Sequence, residues 1–201
     1  MIKIFVTGGV GSGKSTLIKF LEQAGAATVQ ADLVGHELLF DPEVKDELRV
    51  AFGPDIFDEQ GQVMRPALAA RAFVSDEMTA RLDAITQHRL YERCLAAIDE
   101  LGKTHQVVVL EMAILDGRDD FHENADIVIA VTTSPEVRVA RLMASRGFTE
   151  EDARNRLASQ VPEEQRLSIA DVVFTNNTTL QDFTDQIKVW WDRFKETYHI
   201  R

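Results

Sequence analysis

The chain has 201 residues, enough to bury a sizeable core in one α/β domain with insertions. A formal net charge of −11 disfavours a polyanionic partner, so nucleic acid is not expected, and no apolar run approaches the length of a membrane span. Cys94 is the only cysteine, which rules out an intramolecular disulfide; the N-terminus enters a strand rather than a leader, and a cytoplasmic location is the expectation.

Ile2-Lys3-Ile4-Phe5-Val6 reads as the first strand. It runs into Gly8-Gly9-Val10-Gly11-Ser12-Gly13-Lys14-Ser15-Thr16, which fits G-x-x-x-x-G-K-[ST], the phosphate-binding loop. Its glycines let backbone N–H groups approach an anion that a Cβ would keep away. Gly11, Ser12, Gly13, Lys14, Ser15 and Thr16 are the nucleotide-binding candidates. Lys14 supplies a charge to the β- and γ-phosphates, and the Ser15 hydroxyl is placed to hold Mg²⁺. The helix carrying Leu17, Ile18, Leu21 and Ala24 turns its positive end to the same anion, and Gly25 is a candidate C-terminal cap.

Ala26 to Val29 reads as a short second strand ending at Gln30-Ala31-Asp32. Ligands of open parallel sheets bind beyond the carboxyl ends of the strands, which puts Asp32 on the same edge as the loop. Two roles stay open for it at this point: a catalytic carboxylate, or the N-cap of a helix from Leu33 to Phe40. Residues 41–104 read as almost entirely helical. Asp41-Pro42-Glu43 starts one helix, Gly53-Pro54 stops it, Asp58-Glu59-Gln60-Gly61 is a turn, and a new helix begins near Pro66. Ser75 can cap a long helix in which Met78, Leu82, Ile85, Cys94, Leu95, Ile98 and Leu101 recur at helical spacing. His88 lies near that apolar stripe.

Gln106 to Leu110 is a β-branched run expected of a buried central strand, and Glu111 follows it where a Mg²⁺-organising carboxylate belongs. Residues 112–125 read as a loop with a short helix at most, and Asp126 to Val131 as the fourth strand. Ser134-Pro135-Glu136 then opens a helix carrying Arg138 and Arg141 and closing at Arg146-Gly147. Thr149 to Asp152 fits a capping box; the helix it starts carries Arg154 and Arg156, whose expected partners are the acids of its own first turn. Ala170 to Phe174 is the fifth strand. Thr179-x-x-Asp182 caps a final helix expected to turn Leu180, Phe183, Ile187, Trp191 and Phe194 inward.

With these residues placed, the chain resembles the dephospho-coenzyme A kinases. The loop Thr7 to Thr16, Ala31-Asp32 with His36, Arg65 with Leu68 and Phe73, Arg141-Leu142 through Arg146 with Arg156 and Gln160, and Ala170-Asp171-Val172-Val173 with Asn176 carry the likeness nearly end to end. The resemblance implies a P-loop NTPase fold: a five-stranded parallel sheet with helices on both faces, a helical acceptor insertion and a helical lid. The corresponding boundaries are 1–31, 105–137 and 168–201 for the nucleotide-binding core, 32–104 for the acceptor insertion and 138–167 for the lid. It implies transfer of a phosphoryl group from ATP, with Mg²⁺, to the ribose 3′-hydroxyl of dephospho-CoA. Asp32 is then the general base, and Lys14 and Arg141 are catalytic cations. Arg146 and Asn176 join the nucleotide side, His36, Arg65 and His88 bind the acceptor, and Ser15 and Glu111 bind the metal. A monomer or small homo-oligomer is expected.

The chain departs from the family pattern at Gln30, at His88-Arg89, and along Glu111 to Gly117, where a Pro and a Glu are missing. All are acceptor-side positions. The alternative is therefore a P-loop kinase of another small acceptor, nucleoside or nucleotide-like. A nucleotide switch fits less well. Asp58 to Gly61 matches D-x-x-G, but it ends no core strand, and no Asn-Lys-x-Asp guanine reader is present.

Overall fold

The computed structural model describes residues 1–115 and 120–200, with the backbone alone at Arg146. Five strands, β1 (Ile2–Gly8), β2 (Ala27–Gln30), β3 (Val107–Glu111), β4 (Ile127–Thr132) and β5 (Val172–Thr175), form one parallel sheet in the order β2-β3-β1-β4-β5. The central strand β1 pairs Val6 with Glu111 of β3 on one side and Gly8 with Val131 of β4 on the other. β4 in turn aligns Thr132 with Thr175 of β5. This register sets the loop after β1 between the ends of its two neighbours.

Helices α1 (Lys14–Gln23), α2 (Ala31–Leu38), α3 (Pro42–Phe52), α4 (Arg65–Ala72) and α5 (Asp76–Leu101) precede β3; α6 (Pro135–Arg146), α7 (Glu150–Ala158) and α8 (Glu163–Leu167) lie between β4 and β5; α9 (Leu180–Tyr198) closes the chain. The chain divides into two compact units, residues 1–29 with 98–201, and residues 30–97.

In the first unit, side chains alternate across the pleat. Ile4, Val6, Val107, Val109, Ile129 and Val131 face Leu17, Ile18 and Leu21 of α1 and Phe183, Ile187, Trp191 and Phe194 of α9. Phe5 turns to the other face and stacks on Phe121, ring centroids 5.4 Å apart. Strands buried on both faces explain why the central runs read as continuous apolar sequence rather than as alternation. Leu180 departs from the expectation and is 68% exposed. A helical side chain covers the turn N-terminal to its own Cα, so at the first position of α9 it points off the end of the helix. Thr179 and Asp182 form the full capping box there. Helix α8 was not apparent in the sequence: it has five residues and begins directly after Pro162.

The second unit holds a helical core of Leu38, Val44, Leu48, Phe52, Ile56, Leu68, Ala72 and Ile85. Surface pairs bind its elements together. Arg89 bonds Glu47 at 2.7 Å, Arg93 pairs with Asp41, and Arg71 bonds Asp55 at 2.7 Å. Asp41 caps α3 by accepting the Glu43 N–H. The Asp58 to Gly61 turn is built as a local device, with Asp58 Oδ1 accepting the N–H groups of Gln60 and Gln62.

Candidate active site

The site begins where β1 ends. Gly11 and Gly13 adopt φ of +75° and +103°, a region where a β-carbon is strained, and Gly13 is the N-cap of α1. Close approach restricts two more glycines. A Cβ on Gly9 would lie 2.2 Å from Nη2 of Arg138, and one on Gly8 would lie 2.5 Å from the Val131 carbonyl oxygen.

Every carbonyl from Gly8 to Gly13 has a donor. Lys14 Nζ donates to Gly8 O at 2.7 Å, and the Ser12 N–H to Gly9 O at 3.2 Å. Arg138 Nε donates to Val10 O at 2.9 Å, Arg141 Nη1 to Gly11 O at 3.3 Å, and Asn176 Nδ2 to Ser12 O at 2.8 Å. The Thr16 and Leu17 N–H groups donate to Gly13 O. In a trans peptide the carbonyl of one residue and the N–H of the next point in opposite directions. Holding the Val10 and Ser12 carbonyls outward therefore turns the N–H groups of Gly11 and Gly13 the other way. Among the described residues, the amides of Gly11, Gly13 and Ser15 donate to nothing. The result is a concave array of amides at the positive end of α1, preorganised for phosphate.

The supports come from far along the chain. Thr133, buried just after β4, sets its hydroxyl 2.9 Å from Ser12 O, 2.7 Å from Thr132 O and 3.2 Å from Asn176 O. Arg141 adds two bonds to Asn176, at 3.1 Å to its carbonyl and 3.0 Å to Oδ1. Val10 packs with Val139, Leu142 and Ala153 of the segment expected to form a lid. Arg138 is 8% exposed, and desolvation lowers its pKa against the opposing charge of Glu163. Thr133, Arg138 as a loop support, Glu163 and the buried Arg166 were not identified as site residues from sequence. The available signals were a threonine directly after a strand and an arginine three residues before Arg141 on one helix face.

The other candidates are placed as follows. Ser15 is exposed and Thr16 half-buried in the first turn of α1; Ser12 is buried, and its hydroxyl has no partner among the described residues. Glu111 is half-buried at the end of β3, level with Val6. Arg146 is the last residue of α6, before Gly147 in the left-handed region, and its side chain lies outside the described set, as do Asp116 and Gly117. Arg154 bonds Glu150 at 2.7 Å, an exposed i,i+4 pair.

In the second unit, Asp32 is an exposed residue in the first turn of α2. It is not the N-cap: the helix starts at Ala31, and Gln30 holds the cap position without a side-chain bond. No hydrogen bond engages the Asp32 carboxylate among the described residues. His36 is exposed, its ring 5.6 Å from that of Phe40, and Arg65 is exposed at the start of α4. His88 does not belong to the buried stripe of α5: its side chain is 83% exposed and lies 3.3 Å from Glu92. Among the described residues no helix is long and apolar enough to cross a membrane, and no three acids, histidines or cysteines group into a metal cage.

A model of the dephospho-CoA kinase family matches residues 2–182. The chain belongs to the dephospho-CoA kinase family. A dephospho-CoA kinase of Corynebacterium glutamicum is 42% identical over 184 residues, covering 90% of this chain and 92% of its own, and one of Corynebacterium efficiens is 39% identical over 190 residues, covering 92% and 94%. A crystal structure of a Thermus thermophilus protein superposes with a TM-score of 0.78 at 28% identity, covering 96% of this chain and 97% of its own. The dephospho-CoA kinase of Campylobacter jejuni gives 0.73 at 22% identity, covering 97% and 98%, and supports the fold. As a dephospho-CoA kinase the chain is an ATP-dependent phosphotransferase that converts dephospho-CoA to CoA.

Proposed function

We propose that this kinase transfers the γ-phosphoryl group of ATP to the ribose 3′-hydroxyl of dephospho-CoA with Asp32 as general base. The observation that carries the assignment is the state of that carboxylate: exposed, unbonded among the described residues, and two positions past β2, with no capping role to account for it. As the bond to phosphorus forms, the hydroxyl proton must leave, and a carboxylate within hydrogen-bond reach takes it.

The amides of Gly11, Gly13 and Ser15 bind the β- and γ-phosphate oxygens, and Lys14 exchanges the Gly8 carbonyl for them. A bound Mg²⁺ would neutralise charge on the same oxygens. Ser15 and Glu111 are the residues that would hold it. One hydroxyl and one carboxylate suit an ion that keeps waters and phosphate oxygens as most of its ligands. Arg141 and Arg146 supply further positive charge during transfer; Arg141 donates to Gly11 O and Asn176 Oδ1, so it must exchange those acceptors to reach a phosphate. Asn176 fixes the nucleotide side, and His36, Arg65 and His88 serve the acceptor. A cytoplasmic enzyme acting as a monomer or small homo-oligomer completes the reading.

Asp32→Asn tests the central assignment. It is expected to fold normally and bind Mg·ATP unchanged, while kcat falls by roughly 10²- to 10⁴-fold, the scale of a lost general base. Full turnover would move the base elsewhere, first to Glu111. Loss of nucleotide binding would make Asp32 a metal or structural residue.

A further inference from the structure

Val10 is the loop residue whose two backbone groups are both bonded by side chains from the segment after β4. Its N–H donates to Gln160 Oε1 at 3.1 Å, and its carbonyl accepts from Arg138 Nε at 2.9 Å. Arg138 Nη2 also donates to that same Gln160 oxygen, closing a ring of Val10, Gln160 and Arg138. Glu163, which accepts from the Thr132 hydroxyl, places its charge near the buried guanidinium. Gly9 leaves the space the guanidinium occupies.

We propose that Arg138 and Gln160 are positioning residues for ATP: by clamping both peptide planes of Val10 they aim the Gly11 amide at the phosphates, without touching a reactant themselves. Arg138 draws the Val10 carbonyl outward, so the Gly11 N–H of the same rigid plane turns inward. Gln160 fixes the preceding plane, so the first cannot rotate away. Gly11, at φ of +75° and without a side chain, has no means of its own to hold that orientation. The acceptor that matters is a single oxygen, Gln160 Oε1, shared by the Val10 N–H and the guanidinium. The clamp also makes the order of the loop depend on the stretch from α6 to the residues just beyond α7, so a nucleotide that orders the loop stabilises that stretch as well.

The inference rests on the loop holding the ATP phosphates, and Lys14→Ala tests that reading separately. An amide that binds phosphate equally in the ground and transition states acts on KM and not on kcat. Gln160→Leu, which removes the acceptor and keeps an apolar stem, is therefore expected to raise the KM for ATP by about tenfold, with kcat and the KM for dephospho-CoA within about twofold. Gln160→Glu keeps the oxygen and should stay within about twofold of the parent for ATP. Gln160→Asn, one methylene too short to reach, should behave like the Leu variant. Arg138→Leu should give the same selective rise. An unchanged KM for ATP in Gln160→Leu would overturn the proposal while Lys14→Ala still stood. So would a rise shared by both substrates, or a Gln160→Glu variant as impaired as Gln160→Leu, since a general loss of structure would produce either. The melting temperature of each variant, read in parallel, reports whether it folds.

Discussion

The nucleotide side and the acceptor side of this kinase are built on opposite terms. Around the loop, side chains bond backbone groups more than a hundred positions away: Asn176 and Thr133 donate to Ser12 O, and Gln160 accepts the Val10 N–H. These groups are buried or half-buried, and each is bonded within the protein itself. The acceptor candidates Asp32, His36, Arg65 and His88 are all exposed, and the two histidines contact residues four positions along their own helices, Phe40 and Glu92. Preorganisation is concentrated on the nucleotide side. A polyphosphate is recognised by backbone dipoles whose direction must be set in advance, because an amide aimed wrongly contributes nothing and reorienting it costs energy at the moment of reaction. An acceptor met by long or small exposed side chains can be gathered as it binds, with the ordering cost paid then.

The contrast can be broken most directly at Lys14. Lys14→Ala should lower kcat/KM by roughly 10²- to 10³-fold, the scale of removing a charge-stabilising donor, with the melting temperature little changed; tight ATP binding with normal turnover would end the reading of the loop. An effect of comparable size falls on stability. Phe183 is fully buried and meets Phe174 edge-on at 6.3 Å. Phe183→Ala should cost about 3–5 kcal/mol in denaturant unfolding, and because Phe183 also lies beside Gly13, nucleotide affinity of the folded fraction should fall with it.

Arg141→Ala and Arg65→Ala set the two sides against each other. The first should raise the KM for ATP or lower kcat by about tenfold, the second should raise the KM for dephospho-CoA by about tenfold, and neither should cross over. If Arg141→Ala and Arg146→Ala both leave kcat within about twofold, those arginines take no part in transfer. The smallest effect is expected away from both sides. Thr179→Ala removes the cap of α9 and should cost about 1 kcal/mol. Hydrogen bonds from Thr179 hold the Asp182 carboxyl below its ordinary range. A carboxylate lowered in the folded state stabilises above its unfolded pKa and loses that contribution as pH falls through the lowered folded value. The difference between parent and Thr179→Ala should therefore shrink in acid, which equilibrium unfolding across pH would show.

Much of this was legible in the sequence. The β-branched runs, the loop glycines and the caps at Asp41, Thr149 and Thr179 mark the elements because their physics is local: a strand buried on both faces needs Val and Ile, and a turn at positive φ needs Gly. The failures have a common form. Leu180 lies on the right helical phase but at the helix end, where phase no longer decides burial. Asp32 as a cap was plausible by residue type, yet the helix begins at Ala31, two residues before the expected Leu33, with Gln30 at the cap. His88 sat near an apolar stripe and proved to face Glu92. The supports of the loop could not be read at all, because an arginine that bonds a carbonyl 128 positions away looks, in sequence, like any arginine on a helix.

Thr133 has a consequence for motion. Its one hydroxyl lies within reach of carbonyls from the loop after β1, from the end of β4 and from the segment after β5, and its single proton can serve only one of them at a time. With Asn176 bridging the first and last of these, the three connections are tied edge to edge and do not fray independently. Opening any one strips partners from the other two, so they open together, as a cooperative unit. Under native conditions the Asn176 amide, bonded to Thr132 O, should then exchange its hydrogen at the same slow rate as the Ser12 amide, bonded to Gly9 O, although 164 positions of chain separate them.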